Sequence, residues 1–338
     1  MRVFQVEDNW SMENARISSR PAPLPCPGEV RIKMKASALN YRDLIVPERG
    51  YGSRMKSLPL IMLSDGVGIV ESLGEGVKQL RVGDRVCPLF FQSWMGGGGP
   101  DKKNLSLSLG CELDGTMAEF MVLPEGGVAL APVHLDDMEA ASLPTAAVTA
   151  WRALVTEGNV RPGDKVLVQG TGGVSLFALQ FAKMLGAHVI IISSSDDKLL
   201  KVRAMGADET INYRSFPEWG KRVREIAGGD GVDHIVEVGG QGTLPQSLRA
   251  IRTGGTISLI GVLAGGKMDI PLGPIVTRHV RMQGITVGSR KDFNNMVRAI
   301  TQNRLHPVID RIFAFNEIRL ALEYLSSGQH FGKITIRH

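Results

Sequence analysis

The chain has 338 residues, room for two domains, and its 43% hydrophobic and 22% charged content is that of an ordinary soluble globular protein. A net charge of +5, scattered along the sequence, excludes a nucleic-acid-binding role, no apolar run is long enough to span a bilayer, and the N-terminal MRVFQVEDNW carries no secretory signal. The three cysteines, Cys26, Cys87 and Cys111, are widely spaced and odd in number, which argues against a disulfide framework and for a reducing cytoplasm.

In chain order, residues 1–125 predict short β-rich pieces broken by Gly and Pro: EVRIKMKASAL and DGVGIVESLG as strands, then VGDRVCPLF after a Gly-Asp turn. The stretch 95–110, MGGGGPDKKNLSLSLG, predicts a polar loop. From about residue 135 helix and strand alternate. KVLVQ is an apolar strand, GVSLFALQFAKMLGA a helix, HVIIIS a strand, and DDKLLKVRAMGA a helix ending at Gly206; ETINY, DHIVEVGG and GTISLIGV supply more strands. Continuous apolar strands joined by helices imply a parallel sheet covered on both faces. From about 291 a helix, a short extended piece, the helix FNEIRLALEYLSSG and the strand GKITIRH close the chain.

The segment KVLVQGTGGVSLF runs a strand into a glycine turn and a helix. At such a turn the unpaired N–H groups and the dipole of the helix N-terminus favour an anion, and glycine lets the backbone approach a pyrophosphate. Gly170 and Gly172 keep the first two glycines of the dinucleotide pattern G-x-G-x-x-G, while Ser175 replaces the third, whose job is helix–strand packing. Gly170, Thr171, Gly172, Gly173 and Val174 are therefore candidate phosphate contacts. The second strand ends at Ser193 or Ser194, where NAD sites usually carry an acid for the ribose 2′-OH. Hydroxyls there, with Lys198, Tyr213 and Arg214 nearby, suit a 2′-phosphate, so NADP is expected ahead of NAD; Asp196 and Asp197 fit the cap and first turn of the next helix.

Together VRIKMKASALNYRD, SDGVGIVESLGEGVKQLRVGDRV, DGTMAEFMVLPE, LPTAAVTAWRAL, VLVQGTGGVSLFALQFAKMLGA, MGADETINY and HFGKITI span nearly the whole chain, which on these segments resembles the medium-chain dehydrogenase/reductase superfamily. The resemblance implies an α/β fold: a Rossmann doubly wound parallel sheet domain (126–290) inserted into a GroES-like β-rich catalytic domain (1–125 and 291–338). It also implies hydride transfer with a nicotinamide cofactor and a homodimer or homotetramer, formed by GTISLIGV or RMQGITVG pairing across a two-fold axis. Zinc alcohol dehydrogenases of this superfamily hold a catalytic metal at positions matched here by Asn40, by Ser64 and Asp65, and by a residue near Thr145; only Asp65 is a good zinc ligand. Residues 87–115 hold two cysteines, Cys87 and Cys111, where those enzymes have four for a structural zinc, so no metal is expected.

The resemblance then points to the zinc-free branch, which is similar to quinone oxidoreductases and enone or enoyl reductases: a hydride passes from NADPH to a carbon conjugated with a carbonyl, and the developing oxygen needs hydrogen-bond donors and a proton. Asn40, Tyr41 and Arg42 are the candidate catalytic groups, with Asp43 in a salt bridge or orienting its neighbours. Thr145 and Thr149 are expected on the cofactor, and Ser194, Lys198 and Tyr213 around its ribose. Gly239, Ile260, Gly261 and Val262 end strands at the carboxyl edge, where open α/β sheets bind ligands; Gly288, Phe331 and Lys333 match cofactor-touching segments of the family. The expected partner is a small carbonyl or quinone, with no nucleic acid and no membrane. Two other readings stand beside this one: a zinc-free NAD(P)-dependent alcohol or aldehyde dehydrogenase, and a non-enzymatic nucleotide-binding sensor.

Overall fold

The computed structural model describes every residue except Gly98, Met268 and Pro271. It divides into two compact units, one formed by Met1–Val148 with Val287–His338, the other by Thr149–Thr286.

The first unit is built on antiparallel strands. EVRIKMKASA forms the strand Glu29–Ala38, whose alternation puts Val30, Ile32, Met34 and Ala36 in the core and Lys33 and Lys35 outside. It pairs with Asp65–Leu73 on one side and, by its two halves, with Phe120–Pro124 and Lys333–Arg337. Ile309–Ala314 extends this sheet beyond Lys333–Arg337 in parallel, so the C-terminal segment lies beside strands from the start of the chain. A smaller sheet of Ala15–Ser19, Arg2–Val6 and Leu60–Ile61 completes the unit; its first two strands carry no turn signal that marks them in the sequence. Residues 126–148, expected with the cofactor domain, cluster with this unit. The reason is pairing: Val128–Leu130 adds to Arg85–Pro88, and the helix Asp137–Ala141, started by the Asp136–Glu139 capping box, packs on Glu29–Ala38 and Asp65–Leu73.

The second unit is a six-stranded, all-parallel sheet in the order Glu209–Asn212, His188–Ser193, Lys165–Gln169, Val232–Glu237, Ile251–Leu259, Arg281–Gly284. Numbered along the chain this is 3-2-1-4-5-6, the doubly wound order, with its switch point between the first and fourth strands. Val189–Ser193 are all buried, as a strand covered on both faces must be. GTISLIGV lies inside this sheet, flanked on both sides, so it cannot pair with another copy; RMQGITVG contributes the edge strand Arg281–Gly284.

Candidate functional site

In the first unit the chain brings Asn40, Asp65, Thr145 and Lys333 together. Asn40 lies two residues past the strand Glu29–Ala38 and two before the one-turn helix Arg42–Ile45; Asp65 opens its strand; Lys333 opens the last strand. Thr145 sits in a π-type turn, Leu143–Ala147, a widened helical turn of the kind that recurs at functional sites. Lys333 Nζ donates to Leu39 O at 2.6 Å and Asn40 Oδ1 at 2.8 Å, and lies 3.4 Å from Asp65 Oδ2. Thr145 Oγ1 donates to Asp65 Oδ1 at 2.5 Å. Lys333 is 3% exposed and Asp65 0%, whereas Asn40 and Thr145 are only partly buried and form the open side of the cluster.

Burial pushes the Asp65 carboxyl up, and Lys333, Thr145 and Asn40 pull against it; burial lowers the Lys333 ammonium, and Asp65 and Asp43 hold it up. At 3.4 Å the two groups stand as a buried salt bridge, each the nearest opposite charge to the other. Burial also raises the Asp43 carboxyl to about 7, against the lowering effect of Arg42. Asp43 makes no ion pair among the described residues: its Oδ2 accepts the Asn40 backbone N–H at 2.7 Å, fixing the turn that presents Asn40.

Of the other two candidate catalytic residues, Arg42 is engaged outside this cluster. Arg42 Nη1 donates to Leu109 O at 2.8 Å, and its guanidinium lies 4.6 Å from the Phe90 ring centre and 5.3 Å from that of Tyr51. Tyr41 is half exposed and caps the short helix without a side-chain bond. Gly288 is packed so tightly that an added Cβ would sit 2.5 Å from Val148 Cγ1, and Phe331 is buried two residues before Lys333.

In the second unit Gly170 has φ +74, the left-handed region that favours glycine, and an added Cβ there would find no atom nearer than Ser175 Oγ at 3.8 Å. An open cradle of this kind fits a pyrophosphate. Gly172 is the N-cap of the helix Gly173–Met184 and supplies no side-chain cap, so the first-turn N–H groups are available to an anion. Thr171 is buried beside them. Ser175 Oγ donates to Gln169 O at 2.6 Å, stitching the helix to the strand that precedes it, the packing role of the missing third glycine.

Beyond the end of the second strand two acids, Asp196 and Asp197, stand in the first turn of the next helix. Ser195 caps the helix Asp196–Ala204, Asp196 in its first turn accepts from Asn212 Nδ2 at 2.8 Å, and Tyr213 N donates to Ser193 O at 3.1 Å. Ser194, Lys198 and Tyr213 thus gather at the carboxyl ends of two neighbouring strands. Gly239, Ile260, Gly261 and Val262 also converge: Ile260 N donates to Glu237 O at 2.9 Å and Ala264 N to Gly239 O at 2.8 Å. Thr149 is buried at the start of this unit.

Sequence reading missed Glu237. Its fully buried carboxylate accepts from Gly239 N (2.9 Å), Gly240 N (3.1 Å), Gln169 Nε2 (2.7 Å), Ser247 Oγ (2.5 Å) and Thr243 Oγ1, and so shapes the turn at the sheet's carboxyl edge. An acid at the end of an otherwise apolar strand, DHIVEVGG, was the available signal.

Two family models match the chain, the alcohol dehydrogenase GroES-like domain over residues 26–133 and the zinc-binding dehydrogenase over 173–302. A zinc-type alcohol dehydrogenase-like protein of Schizosaccharomyces pombe is 42% identical over 317 residues, covering 92% of this chain and 91% of that one. Among solved structures, an NAD-dependent alcohol dehydrogenase superposes with TM-score 0.91 at 33% identity, covering 100% of both chains. A crotonyl-CoA carboxylase/reductase in complex with NADP superposes with TM-score 0.91 at 25% identity, covering 100% of this chain and 94% of the other. The zinc in the second model's description does not fit the residues present here. Asn40 Oδ1 is engaged by an ammonium, the Thr145 hydroxyl hydrogen is spent on Asp65, and a lysine charge sits against the one carboxylate. Among the described residues no group of three or more His, Cys, Asp or Glu side chains is placed to hold a metal ion.

Proposed function

The chain belongs to the medium-chain dehydrogenase/reductase family, and from that premise we propose that it is an NADPH-dependent, metal-independent reductase of quinones or α,β-unsaturated carbonyls. The observation that carries this reading is the chemistry of the Asn40–Asp65–Thr145–Lys333 cluster: hydrogen-bonding groups over a buried ion pair, in place of a donor set suited to zinc. Without a Lewis acid a simple alcohol lacks its usual route to an alkoxide, whereas a conjugated carbonyl is already electrophilic at its β-carbon.

A bound nicotinamide would supply the hydride. The chain's own part is to hold the cofactor and to steady the charge that develops on the acceptor oxygen. Gly170–Val174 would receive the pyrophosphate on bare N–H groups at a helix N-terminus. Ser194, Lys198 and Tyr213 would take the 2′-phosphate, with Asp196 diverted to Asn212. Asn40 would donate to the substrate oxygen or the nicotinamide carboxamide. The similarity to an alcohol dehydrogenase favours a second reading, oxidoreduction of alcohols or aldehydes without zinc. The open edge of Arg281–Gly284 supports a homo-oligomer in which that strand meets its counterpart from another copy.

The test is NADPH oxidation with 1,4-benzoquinone, an enone and an enoyl-CoA, run beside NADP reduction with a simple alcohol. Turnover of a conjugated acceptor alone is expected. Turnover of the alcohol alone establishes the second reading, and nucleotide binding with no turnover at all leaves a sensor.

A further inference from the structure

The buried lysine deepens the reading above and rests on it. Lys333 Nζ meets three oxygens, Leu39 O, Asn40 Oδ1 and Asp65 Oδ2, which matches the three donors of an ammonium. Two of these oxygens belong to the positions that the family resemblance assigns to metal ligands. We propose that Lys333 is the built-in cation of this site: it keeps a divalent metal out of the cradle and fixes the polarity of the groups that face the substrate.

The polarity follows from where each hydrogen goes. Because Asn40 Oδ1 accepts from Lys333, the amide's remaining hydrogen-bonding capacity is its N–H pair. Asn40 Nδ2 lies near enough to Asp65 to lower that carboxyl but short of hydrogen-bond geometry, so this buried donor is unmatched among the described residues. Asp65, salt-bridged to Lys333, takes the Thr145 hydroxyl hydrogen, so that hydrogen is turned toward the carboxyl group. A donor at Asn40 suits the acceptor oxygen of a substrate or of the nicotinamide carboxamide. With all three of its donors committed inside the protein, Lys333 acts through Asn40 and Asp65 as a positioning residue.

The pair variant Asp65→Asn/Lys333→Met removes both charges at similar volume and should fold with nearly the wild-type Tm, since a buried ion pair replaced as a unit costs little. With an enone and NADPH its kcat should fall about 100-fold with little change in KM, the pattern of a lost transition-state donor. In Lys333→Ala, n-propylammonium should restore kcat in a saturable way and n-propanol should not, which separates charge from cavity filling. Two readouts need no turnover. The ¹H–¹⁵N spectrum of the wild type should contain an ammonium resonance that Lys333→Met removes, and the wild type dialysed against zinc should hold no stoichiometric metal. A neutral Lys333 amine, stoichiometric zinc lost on Asn40→Ala, rescue by propanol as well as by the amine, or a folded pair variant with wild-type kcat overturns the proposal. A wild type that shows the ammonium and excludes zinc but turns over no conjugated acceptor upholds the built-in cation and removes the proposed function alone.

Discussion

Ser175 answers for its own position: with its hydroxyl bonded to Gln169 O at 2.6 Å, a departure from the glycine pattern becomes a fastening between helix and strand. Glu237 is a fastening of greater consequence. Replacing it by Ala strands five donors, so Glu237→Ala should lose about 3 kcal/mol of unfolding free energy in urea titrations and weaken NADPH binding, whereas Glu237→Gln keeps part of both. His234 sets a pH dependence. It is buried with Nε2 on Ser258 Oγ at 3.1 Å, and burial, aided by the nearby Arg281, lowers it to about 4 from 6.5. Between those values the unfolded chain binds the proton and the folded chain does not, so this contribution is intact above about pH 6.5 and is lost as pH falls toward 4. His234→Gln should flatten the fall in stability across that window by about 3 kcal/mol, read from denaturant midpoints at pH 7 and pH 4.5. At this scale Asn40, Asp65 and Thr145 were legible because family resemblance marks their positions. The work of Lys333 was not: its partner Asp65 is 268 positions away, and a lysine opening an apolar strand does not declare which way it faces.

Elements of the second unit were read closely because their signals are local. HVIIIS is the strand His188–Ser193 to the residue, and the helix after it ends just ahead of Gly206, at φ +97. In the first unit the signal is pairing between distant segments, so Arg2–Val6 and Val128–Leu130 escaped notice; they are strands because partners exist for them. The turn 170–174 carries the element-scale predictions. Gly170→Ala forces a Cβ into the left-handed region and should cost about 1 kcal/mol in stability, with a larger proportional loss in affinity for NADPH by fluorescence titration. Lys198→Ser should weaken NADPH by about tenfold while leaving NADH within twofold, as removal of one phosphate partner would. Equal losses for both nucleotides would assign Lys198 to the helix alone.

For the molecule as a whole, the doubly wound sheet and the β-rich unit carry separate duties, one for a nucleotide and one for the polar cluster around Lys333. No helix among the described residues is long and apolar enough to cross a membrane. Light scattering should find more than one copy per particle, and Gly284→Pro should shift the mass downward: Ile285 N bonds Leu259 O inside the sheet, so the alternate N–H of Gly284 faces the open edge and is the one removed. Metal-independent hydride delivery to a conjugated carbon is the central proposal for this chain. The direct measurement uses protein dialysed against EDTA, an enone, and NADPH carrying deuterium at either C4 position, with the product analysed by NMR. Deuterium from one of the two labels on the β-carbon of a saturated ketone is the result expected; deuterium on the carbonyl carbon of an allylic alcohol, or transfer that returns only when zinc is restored, would contradict it.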